Sequence, residues 1–459
     1  MSNPGEADDT HVVSVQQLAD HIAAGCKPAS QYRIGTEHEK FGFDLSTRRP
    51  PPYEPAGIRA VLERLATPGA WEPIVEKGNP IGLKGVGPNK SASVSLEPAG
   101  QLELSGGLVE TLHETEAELE AHFAALRPVA EQLGLGFAPL GHHPTMARAD
   151  MPWMPKGRYA IMRRYMPKVG TFGLDMMQRT CTVQVNLDYS SETDMARKLH
   201  VSLALQPVAT ALFANSPFVE GKPSGFLSSR ARVWTDTDNA RSGMPPVMFE
   251  DGFGFERYVE WLLDVPMYFI LRKGEYVDMA GRSFRQFVAG DYGNILPGIR
   301  ATMGDFEDHM TTAFTDVRVK RFLEMRGADA GTPAMMVAQS ALWTGVLYDE
   351  AALAAAEALV RRHPWTAYAA LRAEVPRLAL NAPFAGGTAR DLARDMVAIA
   401  SDGLQARGRL DSSGNDERRL LEPLRNLVHD GLTQAEDSLE RFVSEWGGDA
   451  SRALQAGSV

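Results

Sequence analysis

The chain contains very little cysteine and no long apolar run. Its 459 residues include two cysteines, Cys26 and Cys181, which excludes a fold held together by a disulfide framework. Its apolar stretches are far shorter than the roughly 20 residues that a membrane-spanning helix needs. The segment from Met1 to Thr10 is polar and lacks the basic and apolar regions of a secretory signal. These features predict a cytoplasmic protein.

Positive charge is also scarce. Lys and Arg number 47 against 58 Asp and Glu, so the formal net charge is −11. Nucleic acids and anionic membranes select surfaces with local positive charge, and we therefore expect neither as a partner. A small anionic ligand is compatible with this composition, because a buried cationic pocket or a bound Mg²⁺ can hold phosphate inside an acidic protein.

Several common catalytic motifs are missing. The glycine-rich segment 80–87 lacks the Gly-Lys-Ser/Thr ending of a phosphate-binding loop and the helix that should follow it. The sequence has no dinucleotide fingerprint in the right context, no paired cysteine motif for zinc and no evident nucleophile elbow. Catalytic groups must therefore be sought among charged side chains on the predicted strands.

Hydrophobic periodicity predicts an α+β protein in three parts. Residues 1–31 form an N-terminal tail and a short helix. Residues 32–332 mix strand and helix patterns without regular alternation, so we expect a mainly antiparallel sheet with helices around it. Residues 333–459 are rich in Ala, Met and Leu at helical spacing and predict a helical layer packed on that core. The strand patterns lie at 32–45, 93–105, 180–189, 229–235, 267–278 and 319–326, and the main helical ones of the core at 113–133, 193–215 and 254–264.

Glutamates share polar faces on two of the predicted strands. Glu37 and Glu39 are two residues apart and therefore point to the same side of a strand. Glu103 alternates with leucines, and Glu97 precedes a kink at Pro98. Crowded carboxylates raise each other's pKa unless a cation lies between them, and a hard divalent cation suits oxygen ligands. Each pattern alone is also typical of a solvated strand.

Two more strand patterns and two basic clusters supply amide and guanidinium groups in addition to these glutamates. In the strand that contains Gln184, even positions are polar and odd positions apolar. Glu324 and Arg326 share one face of a later strand, where they form a structural ion pair or divide metal and phosphate binding between them. Arg158 and Arg230 belong to short basic clusters. Together these groups indicate divalent cations and a polyanion at a sheet surface, and hence phosphoryl transfer without a phosphate-binding loop.

In the segments that carry these residues, the chain resembles the plant-type glutamate–cysteine ligases, which also occur in many proteobacteria. The resemblance implies a glutamine-synthetase-like fold, in which a curved, mainly antiparallel sheet forms a funnel with metals at its narrow end. It also implies the first step of glutathione synthesis, in which ATP drives the joining of the γ-carboxylate of L-glutamate to L-cysteine through γ-glutamyl phosphate. The closest stretches are 35–43, 94–106, 154–189, 203–243 and 320–329.

The resemblance assigns roles to individual residues. It implies that Arg158 and Arg230 bind substrate, that Lys84 and Gln184 contact the nucleotide, and that Arg326 meets the transferring phosphate. It implies five Mg²⁺ ligands: Glu37, Glu39, Glu97, Glu103 and Glu324. Of these, Glu103 and Glu324 are also expected to be catalytic.

Regulation is expected to differ from that of the plant enzymes. Where those enzymes carry the cysteines of regulatory disulfides, this chain has Met279, so redox control through such bridges should be absent. The expected partners are ATP, L-glutamate and L-cysteine, and the expected assembly is a monomer or a homodimer.

Three other functions are compatible with the residues. A ligase that joins glutamate to another amine would use the same strands, because a small apolar change in a pocket alters selectivity by only ~1–3 kcal/mol. A metal-dependent hydrolase would use the same carboxylates around a water nucleophile and would need no ATP. A binding or scaffold protein is disfavoured, because buried charges without a ligand are costly.

Overall fold

Strands and helices follow one another irregularly along the chain. The structure, a computed structural model, describes residues 8–66 and 69–458. The strands are Ile34–Asp44 (β1), Trp71–Glu76 (β2), Asn79–Gly85 (β3), Ser93–Leu96 (β4), Leu102–Ser105 (β5), Leu135–Ala138 (β6), Thr182–Leu187 (β7), Phe218–Val219 (β8), Lys222–Pro223 (β9), Ser242–Gly243 (β10), Phe269–Arg272 (β11), Glu275–Asp278 (β12), Phe314–Thr315 (β13), Val317–Val319 (β14), Leu323–Asp329 (β15), Pro383–Phe384 (β16) and Gly387–Thr388 (β17).

The α-helices surround the strands and dominate the C-terminal third. They are Val15–Ala23 (α1), Ile58–Leu65 (α2), Leu112–Leu133 (α3), Gly157–Tyr165 (α4), Gly173–Arg179 (α5), Glu192–Leu212 (α6), Ser229–Val233 (α7), Phe255–Asp264 (α8), Phe284–Ala289 (α9), Met303–Thr311 (α10), Pro333–Leu347 (α11), Glu350–Val360 (α12), Trp365–Leu378 (α13), Ala389–Arg407 (α14), Glu422–Asp430 (α15), Gln434–Ser444 (α16) and Arg452–Ala456 (α17). None of the described helices is long and apolar enough to span a bilayer.

One antiparallel sheet forms the centre of the described fold. Nine of the described strands build it in the order β14-β15-β7-β1-β5-β4-β3-β2, with β6 also paired with β1. Every pairing between these strands is antiparallel. The mixed architecture of helices and an antiparallel sheet confirms the predicted fold class.

The central strand β1 has two chemically different faces. Its odd positions, among them Glu37 and Glu39, lie on what we call the front face of the sheet. Its even positions point to the helices behind, where the Thr36 hydroxyl is 2.7 Å from that of Ser340 on α11. The helix α11 is almost wholly buried there. The helix α11 therefore covers the back face of the sheet and not the front face.

Two segments differ from the sequence predictions. The segment 229–235 was predicted as a strand, and this prediction is wrong: Ser229–Val233 is the helix α7. Its aromatic and β-branched residues favour a strand, but the Ser228 hydroxyl accepts a hydrogen bond from the Ala231 N–H (3.0 Å) and caps a helix instead. The glycine-rich segment 80–87 contributes most of β3, a strand that the sequence did not predict.

Candidate functional site

Three of the predicted glutamates line one cleft of about 770 Å³ on the front face. Glu39 on β1 lies directly opposite Glu103 on β5 in the strand register. Glu97 reaches the cleft from the turn between β4 and β5. That turn closes through a 2.9 Å bond from the Gly100 N–H to the Glu97 carbonyl, and Gly100 takes a φ of +86° that few other residues adopt.

Two of these carboxylates, Glu39 and Glu103, lie where ionisation is disfavoured. Burial, together with the charges of Glu97 and Glu37, raises the pKa of Glu103 to about 7. Burial and the charges of Glu97 and Glu103 raise the pKa of Glu39 well above its usual value. A cation bound among them would remove this cost. In the described part of the chain, however, no group of three His, Cys, Asp or Glu side chains is already arranged to hold a metal ion.

Glu324 on β15 lies in a different electrostatic environment. Its carboxylate is fully buried and contacts Arg318 Nε at 2.6 Å, Arg326 Nη1 at 2.9 Å and Lys320 Nζ at 3.4 Å. Burial alone would raise the pKa of Glu324, but these three cations hold it well below its usual value. Glu37, the remaining predicted ligand, accepts a 2.8 Å hydrogen bond from the Asn186 amide. The structure thus places three of the five predicted metal ligands around the cleft and surrounds Glu324 with cations. Glu37 belongs to neither set of contacts.

Arginines line the same cleft as the glutamates. Arg158, on α4, lies over the Phe269 ring with its guanidinium carbon 4.9 Å from the ring centroid. Arg230, on α7, donates from Nη2 to the Arg326 carbonyl at 2.8 Å. The Arg326 side chain donates to Glu324 and to the Gln184 amide oxygen. The predicted Arg158, Arg230, Arg326 and Gln184 therefore converge on the cleft.

A buried carboxylate that the sequence analysis did not single out supports Arg230. Asp329, at the end of β15, accepts hydrogen bonds from the Ser216 hydroxyl (2.6 Å), the Ser228 hydroxyl (2.7 Å) and the Asn215 N–H (2.9 Å). The Ser216 hydroxyl in turn accepts a 3.2 Å bond from the Arg230 N–H. Asp329 thus ties the start of α7 to the sheet.

The remaining predicted residue, Lys84, lies apart from the cleft. It is exposed on β3, in a row of paired residues that runs from Glu72 on β2 through Lys84, Ser93 and Ser105 to Glu37. It does not line the cleft. Arg318 and Trp234 do line it and were not predicted. The sequence could have identified Arg318, because Val317, Arg318 and Val319 alternate between apolar and charged side chains. This alternation places the one charge on the polar face of the strand.

The comparisons with known proteins identify a family model. The model of glutamate–cysteine ligase family 2 (GCS2) matches residues 33–456. The chloroplastic glutamate–cysteine ligase A of Oryza sativa subsp. indica is 49% identical over 437 residues, covering 95% of this chain and 86% of that protein. The chloroplastic glutamate–cysteine ligase of Arabidopsis thaliana is 50% identical over 438 residues, covering 95% of this chain and 81% of that protein.

A solved structure shares the fold. The glutamate–cysteine ligase of Francisella tularensis in complex with AMP matches with a TM-score of 0.55 at 11% identity, covering 93% of this chain and 88% of that chain. The similarity at this identity concerns the fold alone, and it agrees with the predicted α+β architecture.

The prediction of a cytoplasmic protein is wrong by the same comparisons. The similar ligases from Oryza sativa, Arabidopsis thaliana, Brassica juncea and Nicotiana tabacum are all named chloroplastic. The prediction rested on what the first residues lack, and composition of that kind does not identify a compartment.

Proposed function

The chain belongs to glutamate–cysteine ligase family 2, and on that premise we propose that its front-face cleft joins L-glutamate to L-cysteine with consumption of ATP. The match to this family model and the similarity to the plant ligases confirm the predicted ligase activity and the predicted resemblance. The observation that carries the proposal for the cleft is the meeting of three crowded glutamates with four arginines around one space of about 770 Å³. Carboxylate and phosphate substrates need this combination of groups.

The carboxylates Glu39, Glu97 and Glu103 would hold Mg²⁺. Their fit rests on donor chemistry: they are hard oxygen ligands, and burial and mutual repulsion raise the pKa of both Glu39 and Glu103. The ion would neutralise charge between the triphosphate and the glutamate carboxylate, which otherwise repel each other. Glu37 adjoins this group in the strand register. Glu324 remains a predicted ligand, but its present contacts make it the counter-ion of Arg318 and Arg326.

The arginines would bind the anionic groups that react. In the proposed reaction, an oxygen of the glutamate γ-carboxylate attacks the γ-phosphorus of ATP, and ADP leaves. The cysteine amine then attacks the γ-carbonyl, loses a proton, and phosphate leaves. Arg326, held by Glu324 and Gln184, would stabilise the phosphoryl group as it transfers. Arg158 and Arg230 would bind substrate carboxylates through paired donors, which lysine does not offer.

The test is phosphate release from ATP with Mg²⁺ and L-glutamate, with and without L-cysteine. We expect release to rise sharply with cysteine and γ-glutamylcysteine to appear by mass spectrometry. Release that responds better to another amine would retain the mechanism and change the acceptor. Absence of ATP turnover would instead favour the hydrolase that the carboxylates alone would allow.

Removal of metal tests the cofactor separately. Treatment with a chelator should abolish turnover, and added Mg²⁺ should restore it. Mg²⁺ alone should also raise the melting temperature, because a ligand that binds only the folded state stabilises it. Turnover that survives the chelator would remove Mg²⁺ from the proposal.

A further inference from the structure

The strand that carries Arg326 contains one extra residue. The pairing of β15 with β7 changes register between Met325 and Ala328, where three steps along β15 match two steps along β7. This is a β-bulge, in which Arg326 and Gly327 together lie opposite one residue of β7. A bulge redirects the side chains beside it, and Arg326 is the arginine that the proposed function assigns to the transferring phosphoryl group.

The bulge also determines which carboxylates share a face of the sheet. Glu324 and Asp329 are five residues apart, so on a regular strand they would point to opposite faces. With the bulge they pair with Asn186 and Thr182, which are four residues apart on β7 and therefore point to one face. The carboxylate that holds Arg326 and the carboxylate that supports α7 thus lie on the same side of the sheet.

Side chains from two helices hold the backbone of the bulge. The Arg326 N–H donates to the Asp316 carbonyl at 3.0 Å, and the Arg326 carbonyl accepts from Arg230 on α7 at 2.8 Å. The Gly327 carbonyl accepts from the Thr210 hydroxyl on α6 at 3.0 Å. At both bulged carbonyls, a side chain therefore supplies a donor.

Gln206, one turn before Thr210 on α6, packs directly on Gly327. A Cβ atom at position 327 would lie 2.8 Å from both Cγ and Cδ of Gln206, and closer still to its Nε2. Gln206 is fully buried, and its amide has no hydrogen-bond partner among the described residues, so it contacts the bulge by packing. Because Cγ is as close as Cδ, rotation of the amide alone would not make room for a larger residue at position 327.

We propose that Gln206 and Thr210 are positioning residues, which fix the bulge at Gly327 and thereby aim the Arg326 guanidinium into the cleft. This inference rests on the proposed function, in which Arg326 meets the transferring phosphoryl group. Neither side chain of α6 is among those that line the cleft. They should therefore affect the chemical step through Arg326 and leave substrate binding unchanged. A catalytic group displaced by about 1 Å can lower a rate by about 100-fold.

Gly327→Ala tests the packing contact, since it adds one methyl group against Gln206. We expect kcat to fall about tenfold or more, while KM for glutamate, cysteine and ATP changes less than about twofold. The double variant Gly327→Ala/Gln206→Ala removes the atoms that the methyl group would meet. Its kcat should recover to within about threefold of that of Gln206→Ala alone. A normal kcat in Gly327→Ala, or a loss that persists in the double variant, would overturn the inference.

The dependence on Arg326 is measured in the Arg326→Lys variant. There, Gly327→Ala should lower kcat by less than about a further threefold, because both changes act through one side chain. A further tenfold loss would overturn the inference. The matched control is Gly136→Ala on β6, where the added Cβ would lie 2.5 Å from Cζ of Phe43. This change should lower the melting temperature and leave kcat unchanged.

Thr210 provides a second test, which also applies if Gly327→Ala does not fold. Thr210→Val removes the hydroxyl and should lower kcat about three- to tenfold, whereas Thr210→Ser keeps the donor and should retain most of kcat. Equal kcat values for these two variants would overturn the inference. Absence of cysteine-dependent phosphate release in the wild type would instead refute the proposed function itself.

Discussion

The front-face glutamates all lie on or beside strands of one sheet, but the charges of their neighbours differ. Glu39 and Glu103 face each other across two strands and have other carboxylates as neighbours. Glu324 lies among three cations. Removal of a charge should therefore have opposite effects at the two places: it relieves repulsion at Glu103 and leaves buried arginines without a counter-ion at Glu324.

Glu103→Gln should reduce ligase turnover by about 100-fold or more without loss of stability. The amide can still accept the 2.6 Å hydrogen bond from the Ser95 hydroxyl, and the change removes a buried charge. Steady-state rates and thermal melts measure both effects. The matched control is Glu118→Gln on α3, a partly buried carboxyl that accepts a bond from the Gly107 N–H outside the cleft. Normal turnover of the Glu103 variant would exclude Glu103 from the proposed metal site.

Arg326→Lys should lower kcat about 10- to 100-fold although the charge is kept. One Arg326 nitrogen bonds both Gln184 and Glu324, and a lysine ammonium does not keep the planar arrangement that aims the rest of the group into the cleft. The comparison variant is Arg163→Lys, an exposed arginine stacked on Trp153 outside the cleft, which should leave kcat unchanged. If both variants kept full kcat, Arg326 would have no role in phosphoryl transfer.

At the scale of elements, the short helix α7 determines where Arg230 stands. Its five residues carry too little periodicity to distinguish a helix from a strand. The deciding contacts are nonlocal, because Asp329 on β15 bonds Ser216 and Ser228 before the helix begins. Longer elements behave differently: the pattern at 113–133 predicts α3, which spans Leu112–Leu133, because a long amphipathic repeat carries its own signal.

Asp329→Asn should weaken the binding of the amino acid substrates. The amide loses the charge that its three donors favour, and its NH₂ group cannot accept a hydrogen bond, so the start of α7 and with it Arg230 should shift. KM for glutamate should rise about tenfold, while KM for ATP should stay within about twofold.

The control for this variant is Asp391→Asn at the start of α14. Asp391 accepts a 2.9 Å bond from the Thr388 N–H and is part of a capping box. Its loss should lower the melting temperature without any change in KM. Equal KM values for the Asp329 variant and the wild type would show that α7 is positioned by other contacts.

For the whole molecule, the sequence predicts the kinds of element and the chemistry better than it predicts their convergence. The period-two patterns around Glu37, Glu103 and Gln184 identify polar strand faces, because alternation is a local property. Whether those faces meet depends on the register of β1 with β5 and β7, which is set by contacts far apart in sequence. Lys84 illustrates the difference, since two strands, β4 and β5, separate its strand from that of Glu37.

The helical C-terminal part shares one core with the sheet. Leu342 on α11 and Val185 on β7 belong to the same buried cluster. The sequence places a boundary at 332/333, but a common core ties the stability of the two parts together. Cooperative unfolding of the whole chain would follow from this arrangement.

Leu342→Ala should test that coupling. Truncation of a fully buried leucine costs about 2–5 kcal/mol, so the melting temperature should fall. Because the core is shared, we expect one transition that moves as a unit by circular dichroism and by loss of activity, with near-normal kcat/KM below it. Leu432→Ala, at a leucine that is 56% exposed, should melt like the wild type. Two separated transitions in the Leu342 variant, the first without loss of activity, would instead establish residues 333–459 as an independently folding domain.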